Sequence, residues 1–516
     1  MHRLTDYKEL LKDRGLLVKD GLSDQAEALV TDVSYDSRSI KNGALFVCKG
    51  AHFAPEYLQS AVTDGALAYV SEREYTLRAG EESAAPSGSG GRNGAFPFLI
   101  VNDIRRAMSV IADYYHDQVW KRLNLVGVTG TKGKTTTAYY MKSILDEWML
   151  ARGGKPAAIL SSVENYDGLI REDSRLTTPE TFELYRHFAN AVSSGIEYLF
   201  MEVSSQALKY HRTYGLIFNI ACFLNIGEDH ISDIEHADFE DYFSSKLRIF
   251  SQCAAACVNI GARESGRILD AVRSSPANPR LMTFGLSEEA DIYGYGVQPS
   301  EDGVRFQVRI GKDKDAAAEA FQISTAGVFN VENALAAISI AHCLGAPVRH
   351  IREGLKKAKV TGRMEVFKSK NGKTIIVDYA HNKLSFETLF QSVKQEYPGR
   401  KITIVFGCPG GKATGRRREL GAVAGLYADM AFLTEDDAGE ESVMDICHEI
   451  AIYLKAANCP YLIIPDREEA VRLAVESAED GAVILIAGKG RDAWQKRGMN
   501  RVPLPSDVDY VERLIK

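Results

Sequence analysis

"GVTGTKGKTTT", residues 127–137, follows the apolar run "LNLV" at 123–126 and leads into the helix-forming stretch "TTAYYMKSILDEWM". Gly127, Gly130 and Gly133 let the backbone turn its N–H groups toward an anion, Lys134 adds a point charge, and Thr135 places a hydroxyl at a helix start. The segment Gly130, Thr131, Lys132, Gly133, Lys134, Thr135 and Thr136 therefore reads as a cradle for the phosphates of ATP. The match to the template GxxxxGK[ST] is imperfect, because Val128 stands where the first glycine is asked for. A plain Gly-rich turn is the rival reading, and GKT between a strand and a helix weighs against it.

Outward from this loop, apolar runs alternate with helical patterns: "IEYLFMEV", "IFNIACFLNI", and, beyond 360, "KTIIVDYA", "KITIVFG", "ADMAFLT" and "GAVILIAGKG". Such alternation predicts an α/β fold built on parallel sheets with helices on both faces. Shorter β-rich runs occupy 24–103, interrupted at 79–95 by "AGEESAAPSGSGGRNGA", whose composition reads as a mobile surface loop. With 516 residues the chain is too long for a single core, and boundaries are expected near 116 and 358, giving segments 1–116, 117–358 and 359–516.

A formal net charge of -7 leaves no basic footprint for nucleic acid, so anionic ligands must be met by local Lys and Arg. Eight cysteines without a CxxC pair read as reduced, buried thiols of a cytoplasmic protein. The opening "MHRLTDYKELLKDRG" has the pattern of an amphipathic helix without a signal-type core, and no run is long enough to span a membrane.

In an open parallel sheet, ligands sit beyond the carboxyl ends of the strands. "IEYLFMEVSS" ends in Glu202 and "ACFLNIGEDH" in Asp229 and His230. With the Thr135 hydroxyl, Glu202 and His230 form a donor set suited to a phosphate-bound Mg2+. Singly, they read as a solvent carboxylate and a loop histidine; together at equivalent strand ends they point to a site. In "DFEDYFSSKLRIF", Phe239, Phe243, Lys246 and Phe250 recur at helical spacing, which places the Lys246 amine along an apolar stripe. The residues alone favour a lysine snorkelling over that face; the rival is a buried, neutral, nucleophilic amine.

These pieces resemble the Mur ligase family, most closely its MurE-type UDP-N-acetylmuramyl-tripeptide synthetases of peptidoglycan precursor synthesis. The resemblance runs over nearly the whole chain through "SYDSRSIKNGALFVCKG", "GVTGTKGKTTT", "RLTTPE", "MEVSSQALKYHR", "LNIGEDH", "SSKLRIF", "FNVENALAA", "TGRMEV", "VDYAHN" and "IAGKG". It implies three domains: an N-terminal one holding the uridine end, a central P-loop parallel-sheet domain, and a C-terminal Rossmann-like domain. It also implies a monomer that works without nucleic acid or membrane. The implied reaction phosphorylates the D-Glu γ-carboxylate of UDP-MurNAc-L-Ala-D-Glu with ATP and Mg2+, and a free diamino acid then attacks the acyl phosphate. By resemblance, Lys134, Lys246 and His230 are catalytic, with Lys246 carbamylated to ligate a second Mg2+. Asn333, Arg363 and Asp378 would reach the nucleotide. Ser37, Thr177, Thr178, Ser204 and Arg212 would hold the UDP-sugar peptide, and Arg417, Asp436, Asp437, Gly488 and Asp492 the amino acid. On local pattern alone, the Thr177–Thr178 pair reads equally as a helix N-cap before Pro179.

Two departures carry chemical content. Family members using meso-diaminopimelate carry DNPR where this chain has Asp436, Asp437, Ala438 and Gly439, and an arginine-free acidic loop suits an ammonium-ended side chain. L-lysine is therefore expected, with L-ornithine next and meso-diaminopimelate behind. The family's GKGHE is here "GKGRD", which puts Asp492 in place of Glu. The rivals among ATP-dependent ligases are another Mur ligase and a folylpolyglutamate synthase relative, and the rival of a different class is a non-catalytic ATP-binding cell-wall scaffold.

Overall fold

The structure is a computed structural model that describes residues 1–22, 26–50, 53–77, 96–229, 231, 235–300, 303–313, 317–360, 362–369 and 371–515. The Gly/Ser-rich insert at 79–95 and His230 lie outside the described residues.

Three large sheets follow one another along the chain. The first has five strands and is flanked by the opening helix Leu4–Asp13 and by Ile104–Tyr115, whose N-terminus is capped by the Asp103 carboxylate accepting from the Arg105 and Arg106 N–H groups. The second has eleven strands. Its middle is parallel, as the alternating pattern predicts, with Asn124–Thr129 lying between Tyr198–Glu202 and Phe218–Phe223. Both edges depart from that expectation. Ile292–Ser300, Gly303–Ile310 and Glu319–Ile323 form an antiparallel meander on one side, and Ala158–Leu160, Glu164–Tyr166 and Arg171–Asp173 one on the other. Most of these edge strands are only partly buried, Arg171–Asp173 not at all, so they lack the continuous apolar runs that mark central parallel strands.

The central strands are buried on both faces. One face packs on the helices Lys134–Ala151 and Asn330–Cys343; the other is continuous with the core of the N-terminal sheet. Gly127 is required in mid-strand because the Phe218 ring lies where a side chain would begin, 2.8 Å from an added Cβ. The third sheet, with Thr374–Asp378, Val483–Ala487 and Ile402–Phe406 at its centre, has cores of its own on its two faces. It meets the central segment through apolar contacts of Ala326 and Phe329 and through polar groups. Asp229, which also pairs with Lys132 at 3.6 Å, accepts from Asn382 Nδ2 at 2.8 Å and lies 3.5 Å from Arg416. All eight cysteines are free thiols, seven of them buried, and no described helix is long and apolar enough to cross a membrane.

Candidate functional site

Asn124–Thr129 ends at the point where its two neighbours lead to opposite sides of the sheet, so a crevice opens beyond it. Gly130, at φ 150°, and Gly133, at φ 82°, turn the chain into the helix Lys134–Ala151. The second turn leaves no room for a side chain, since an added Cβ would lie 2.0 Å from Asn333 Oδ1. Asn333 comes from the first turn of Asn330–Cys343, so two helix N-termini face one loop. Asn225 ties the loop down, accepting from the Lys132 N–H at 2.9 Å and donating to the Lys132 carbonyl at 3.2 Å. Thr131 Oγ1 accepts from the Gly227 N–H at 3.0 Å and meets Tyr242 OH at 3.1 Å.

Two amines converge on one carbonyl. Lys134 Nζ donates to the Gly130 and Thr131 carbonyls at 2.9 and 3.2 Å, and Lys246 Nζ donates to the Gly130 carbonyl at 3.0 Å. Lys246, on Phe239–Leu247, is 2 % exposed, so it does not snorkel. Burial lowers its ammonium well below the ordinary lysine value, and Lys134 and Lys132 add to the effect against Asp229. Lys132 is pushed down to about 8, chiefly by burial. Glu202, 1 % exposed at the end of its strand, accepts from the Ser162 N–H at 3.0 Å, and Ser162 Oγ lies 2.9 Å from Thr135 Oγ1. Thr135 and Glu202 thus border one cavity, with Lys246 reaching the adjoining loop at the Gly130 carbonyl, while among the described residues no cluster of three His, Cys, Asp or Glu makes a ready protein cage.

A cavity of about 650 Å³ runs from this loop to the C-terminal sheet, walled by Lys134, Glu202, Asn333, Arg363, Asp378 and Asp492. Asp378 accepts from the Met364 and Ala380 N–H groups at 2.9 and 2.8 Å, and burial raises its carboxyl above the usual range. Arg363 stacks 4.7 Å over the Tyr379 ring. His381 Nδ1 lies 2.8 Å from the Tyr379 carbonyl; burial and the nearby Lys132 and Arg416 keep the ring neutral.

Toward the N-terminal sheet the expected residues are largely engaged with one another. Thr178 is fully buried; its hydroxyl donates to the Glu202 carbonyl at 2.9 Å and accepts from the Ser204 N–H at 3.0 Å. The N-cap of Thr181–Ser193 is Glu180, not Thr178, so the pair is not a capping motif. Ser204 caps the short helix Ser205–Lys209. Arg212 donates to the Thr178 carbonyl at 3.1 Å and pairs with Glu180 at 2.7 Å. Lys49, from the N-terminal sheet, pairs with the same Glu180 and lies 4.2 Å over the Tyr35 ring. Burial works to raise Glu180, but Arg212 and Lys49 outweigh it and hold the carboxyl below its usual range. Thr177 remains on the cavity wall, and Ser37 is buried in the turn Ser37–Ser39. Glu180 as the hub of this corner was not singled out in the sequence, where it is one of 69 acidic residues.

At the C-terminal end, Arg417 is 4 % exposed and its fork is engaged by Glu449 at 3.0 Å and Glu441 at 2.5 Å. Lys489 Nζ sits 3.0 Å from Asp437, 3.7 Å from Asp492 and 4.0 Å over the Trp494 ring. Asp436 is 7 % exposed beside Gly488, and burial pushes its carboxyl up to about 6.

Residues 128–341 match the family described as Mur ligase middle domain, and 362–490 the one described as Mur ligase, glutamate ligase domain. The chain is 35 % identical over 525 residues, 98 % of its length and 97 % of the relative's, to a UDP-N-acetylmuramyl-tripeptide synthetase of Lactobacillus delbrueckii subsp. bulgaricus. It is 36 % identical over 512 residues, 98 % and 96 % of the two chains, to a UDP-N-acetylmuramoyl-L-alanyl-D-glutamate--L-lysine ligase of Enterococcus faecalis. Among solved structures, a UDP-N-acetylmuramoyl-L-alanyl-D-glutamate--2,6-diaminopimelate ligase shares the fold with a TM-score of 0.65 at 23 % identity, over 99 % of this chain and 98 % of that one.

Proposed function

The chain belongs to the Mur ligase family, and from that membership we propose that it joins L-lysine to the D-Glu γ-carboxylate of UDP-MurNAc-L-Ala-D-Glu at the expense of ATP. The observation that carries the chemistry is the meeting of Lys134 and Lys246 on the Gly130 carbonyl, beside the buried Glu202. A carboxylate oxygen attacks the γ-phosphorus and ADP leaves; the amine then attacks the acyl carbon and phosphate leaves. Both steps depend on positioning and on neutralising charge that moves between oxygens. The glycine loop supplies N–H donors, Lys134 a mobile ammonium, and Asn333 and Asp378 hold the nucleotide from two sides.

The donor set fits Mg2+, which takes oxygen ligands and keeps several waters: a threonine hydroxyl, a buried carboxylate and phosphate oxygens suffice without a protein cage. Thr135 and Glu202 would hold it, and a carbamate formed when the neutral Lys246 amine adds CO2 and loses a proton would supply further oxygens. His230 belongs to the same proposal by its place in the chain. Bound there, the metal supplies charge neutralisation at the transferring phosphoryl group. The uridine end is assigned to the N-terminal sheet near Ser37, with Thr177 on the cavity wall and Thr178, Ser204 and Arg212 shaping that wall from behind. Two experiments test the reading together. Isotopic oxygen in the dipeptide's γ-carboxyl should appear in released phosphate, and lysine offered in competition with ornithine and diaminopimelate should dominate the tripeptide recovered. Unlabelled phosphate, or no added amino acid, refutes the ligase reading.

Asp436 is assigned to the side-chain ammonium of the amino acid. A carboxyl raised to about 6 is neutral below that pH, so the attraction is present above it and lost beneath it. The KM for lysine is expected to climb as pH falls through 6, while the KM for the UDP-substrate does not follow. In Asp436→Asn the lysine KM should be high and flat across the same range; a parallel slope in the variant removes Asp436 from the role.

A further inference from the structure

Loop Glu435–Gly439 follows the strand Met430–Leu433 and carries two residues in the left-handed region, Asp437 at φ 52° and Gly439 at φ 62°. Such a path is held by its surroundings rather than by its own preference. The surroundings are a small separate sheet, the hairpin of Trp494–Arg497 and Asn500–Pro503. Arg497 grips Glu435 with two bonds, at 2.6 and 3.1 Å. Gln495, 3 % exposed, accepts from the Asp437 N–H at 2.8 Å, and the Lys496 N–H donates to Asp437 Oδ1 at 2.9 Å. Gly439 donates to the Lys496 carbonyl at 3.0 Å and accepts from the Gly498 N–H at 2.7 Å. The loop is thus bonded to the hairpin through both side chains and backbone.

The same network decides which carboxylate is available. Lys489 already lies against Asp437 and Asp492. Asp436, between Glu435 and Asp437, makes no hydrogen bond or ion pair among the described residues, although it is 7 % exposed. Arg467 and Lys489 offset part of the cost of its burial from a distance, and an arriving ammonium would pair with it directly.

We propose that this hairpin is the template for amino-acid selection: Gln495 and Arg497 are positioning residues that fix the loop so that Asp436 meets the side-chain ammonium of the incoming diamino acid. This rests on the reading above that the loop receives that substrate. It also means that selecting a carboxylate-ended amino acid takes more than an arginine at Gly439, because that residue is bonded to the hairpin in a left-handed turn.

The test uses the full chain with steady-state kinetics in all three substrates, and norleucine as an uncharged analogue of lysine. Arg497→Gln and Gln495→Met should each raise the lysine KM about tenfold, the scale of one lost charge-assisted or buried hydrogen bond, while kcat and the KM values for ATP and UDP-substrate stay within about twofold. The preference for lysine over norleucine should fall by the same factor, and Arg497→Lys should recover part of it. If Arg497→Gln does not fold, Gln495→Met carries the test alone. An unchanged lysine KM in a folded variant, equal rises in all three KM values, or an undiminished preference overturns the template. A wild-type protein that adds no amino acid refutes the function instead, which keeps the two failures apart.

Discussion

Lys134→Ala is expected to abolish ADP release, by roughly 10³-fold or more, while the protein melts within a few degrees of the wild type, the rate loss being the scale found when one preorganised donor to transition-state charge is removed. The fold should tolerate the change because Lys134 packs on no core; its ammonium contacts only the Gly130 and Thr131 carbonyls at the mouth of a cavity. The reaction should not tolerate it. Burial in the crevice lowers the ammonium's affinity for its proton, with Glu202 and Asp229 opposing that effect, so the charge is held in place by its surroundings rather than by water. A cation of this kind gains from an arriving phosphate and follows charge as it moves to the leaving group. Lys134→Arg should not rescue, because a planar fork does not occupy the place of a compact ammonium between two carbonyls 2.9 and 3.2 Å away. Near-normal turnover of the alanine variant would show that this loop is not where ATP reacts.

The reason Lys134 could be read from the sequence is that its surroundings are local. Gly130, Gly133 and the helix start lie within a few residues, and the positive φ of each glycine belongs to its own position, although the atoms that crowd them, from Leu224 and Asn333, come from far along the chain. The same holds for the central strands, whose buried faces show as unbroken apolar runs. What was not legible depends on partners far along the chain. Glu180 gains its meaning from Lys49, 131 residues away, and from Arg212. Asp229 gains its meaning from Asn382, 153 residues away, which ties the central sheet to the C-terminal one. Asp436 and Asp437 read as equivalent neighbours in an acidic loop, until Lys489 is seen to lie against Asp437 and, outside the loop, against Asp492. The antiparallel edges escaped for a different reason: half-buried strands alternate, and alternation over short segments is a weak signal beside a run of apolar residues.

Lys246→Ala is expected to lose nearly all activity, and added acetate or formate should restore a measurable part of it. A lysine on an apolar helical stripe was ambiguous in the sequence, since its stem alone accounts for the position. At 2 % exposure, 3.0 Å from the Gly130 carbonyl and close enough to Lys134 for repulsion, it is held where the charged form is penalised twice. Burial is the larger penalty, Lys134 the next. Asp229 opposes them, but the balance shifts the group toward the neutral amine, which is the species that adds CO2. Conversion to a carbamate would reverse the local sign, placing an anion against Lys134 and within reach of a metal that also engages Glu202 and Thr135. That reversal would account for two lysines on a single carbonyl, where only Glu202 and Asp229 now offset the like charges. The chemistry gives the wild type a signature independent of the variant. Activity should fall in CO2-depleted buffer and return with bicarbonate, and Lys246→Ala should lose that dependence while gaining the dependence on small carboxylates. An alanine variant that small carboxylates do not revive, together with a wild type indifferent to CO2, would leave Lys246 a plain amine that holds the loop closed through Gly130.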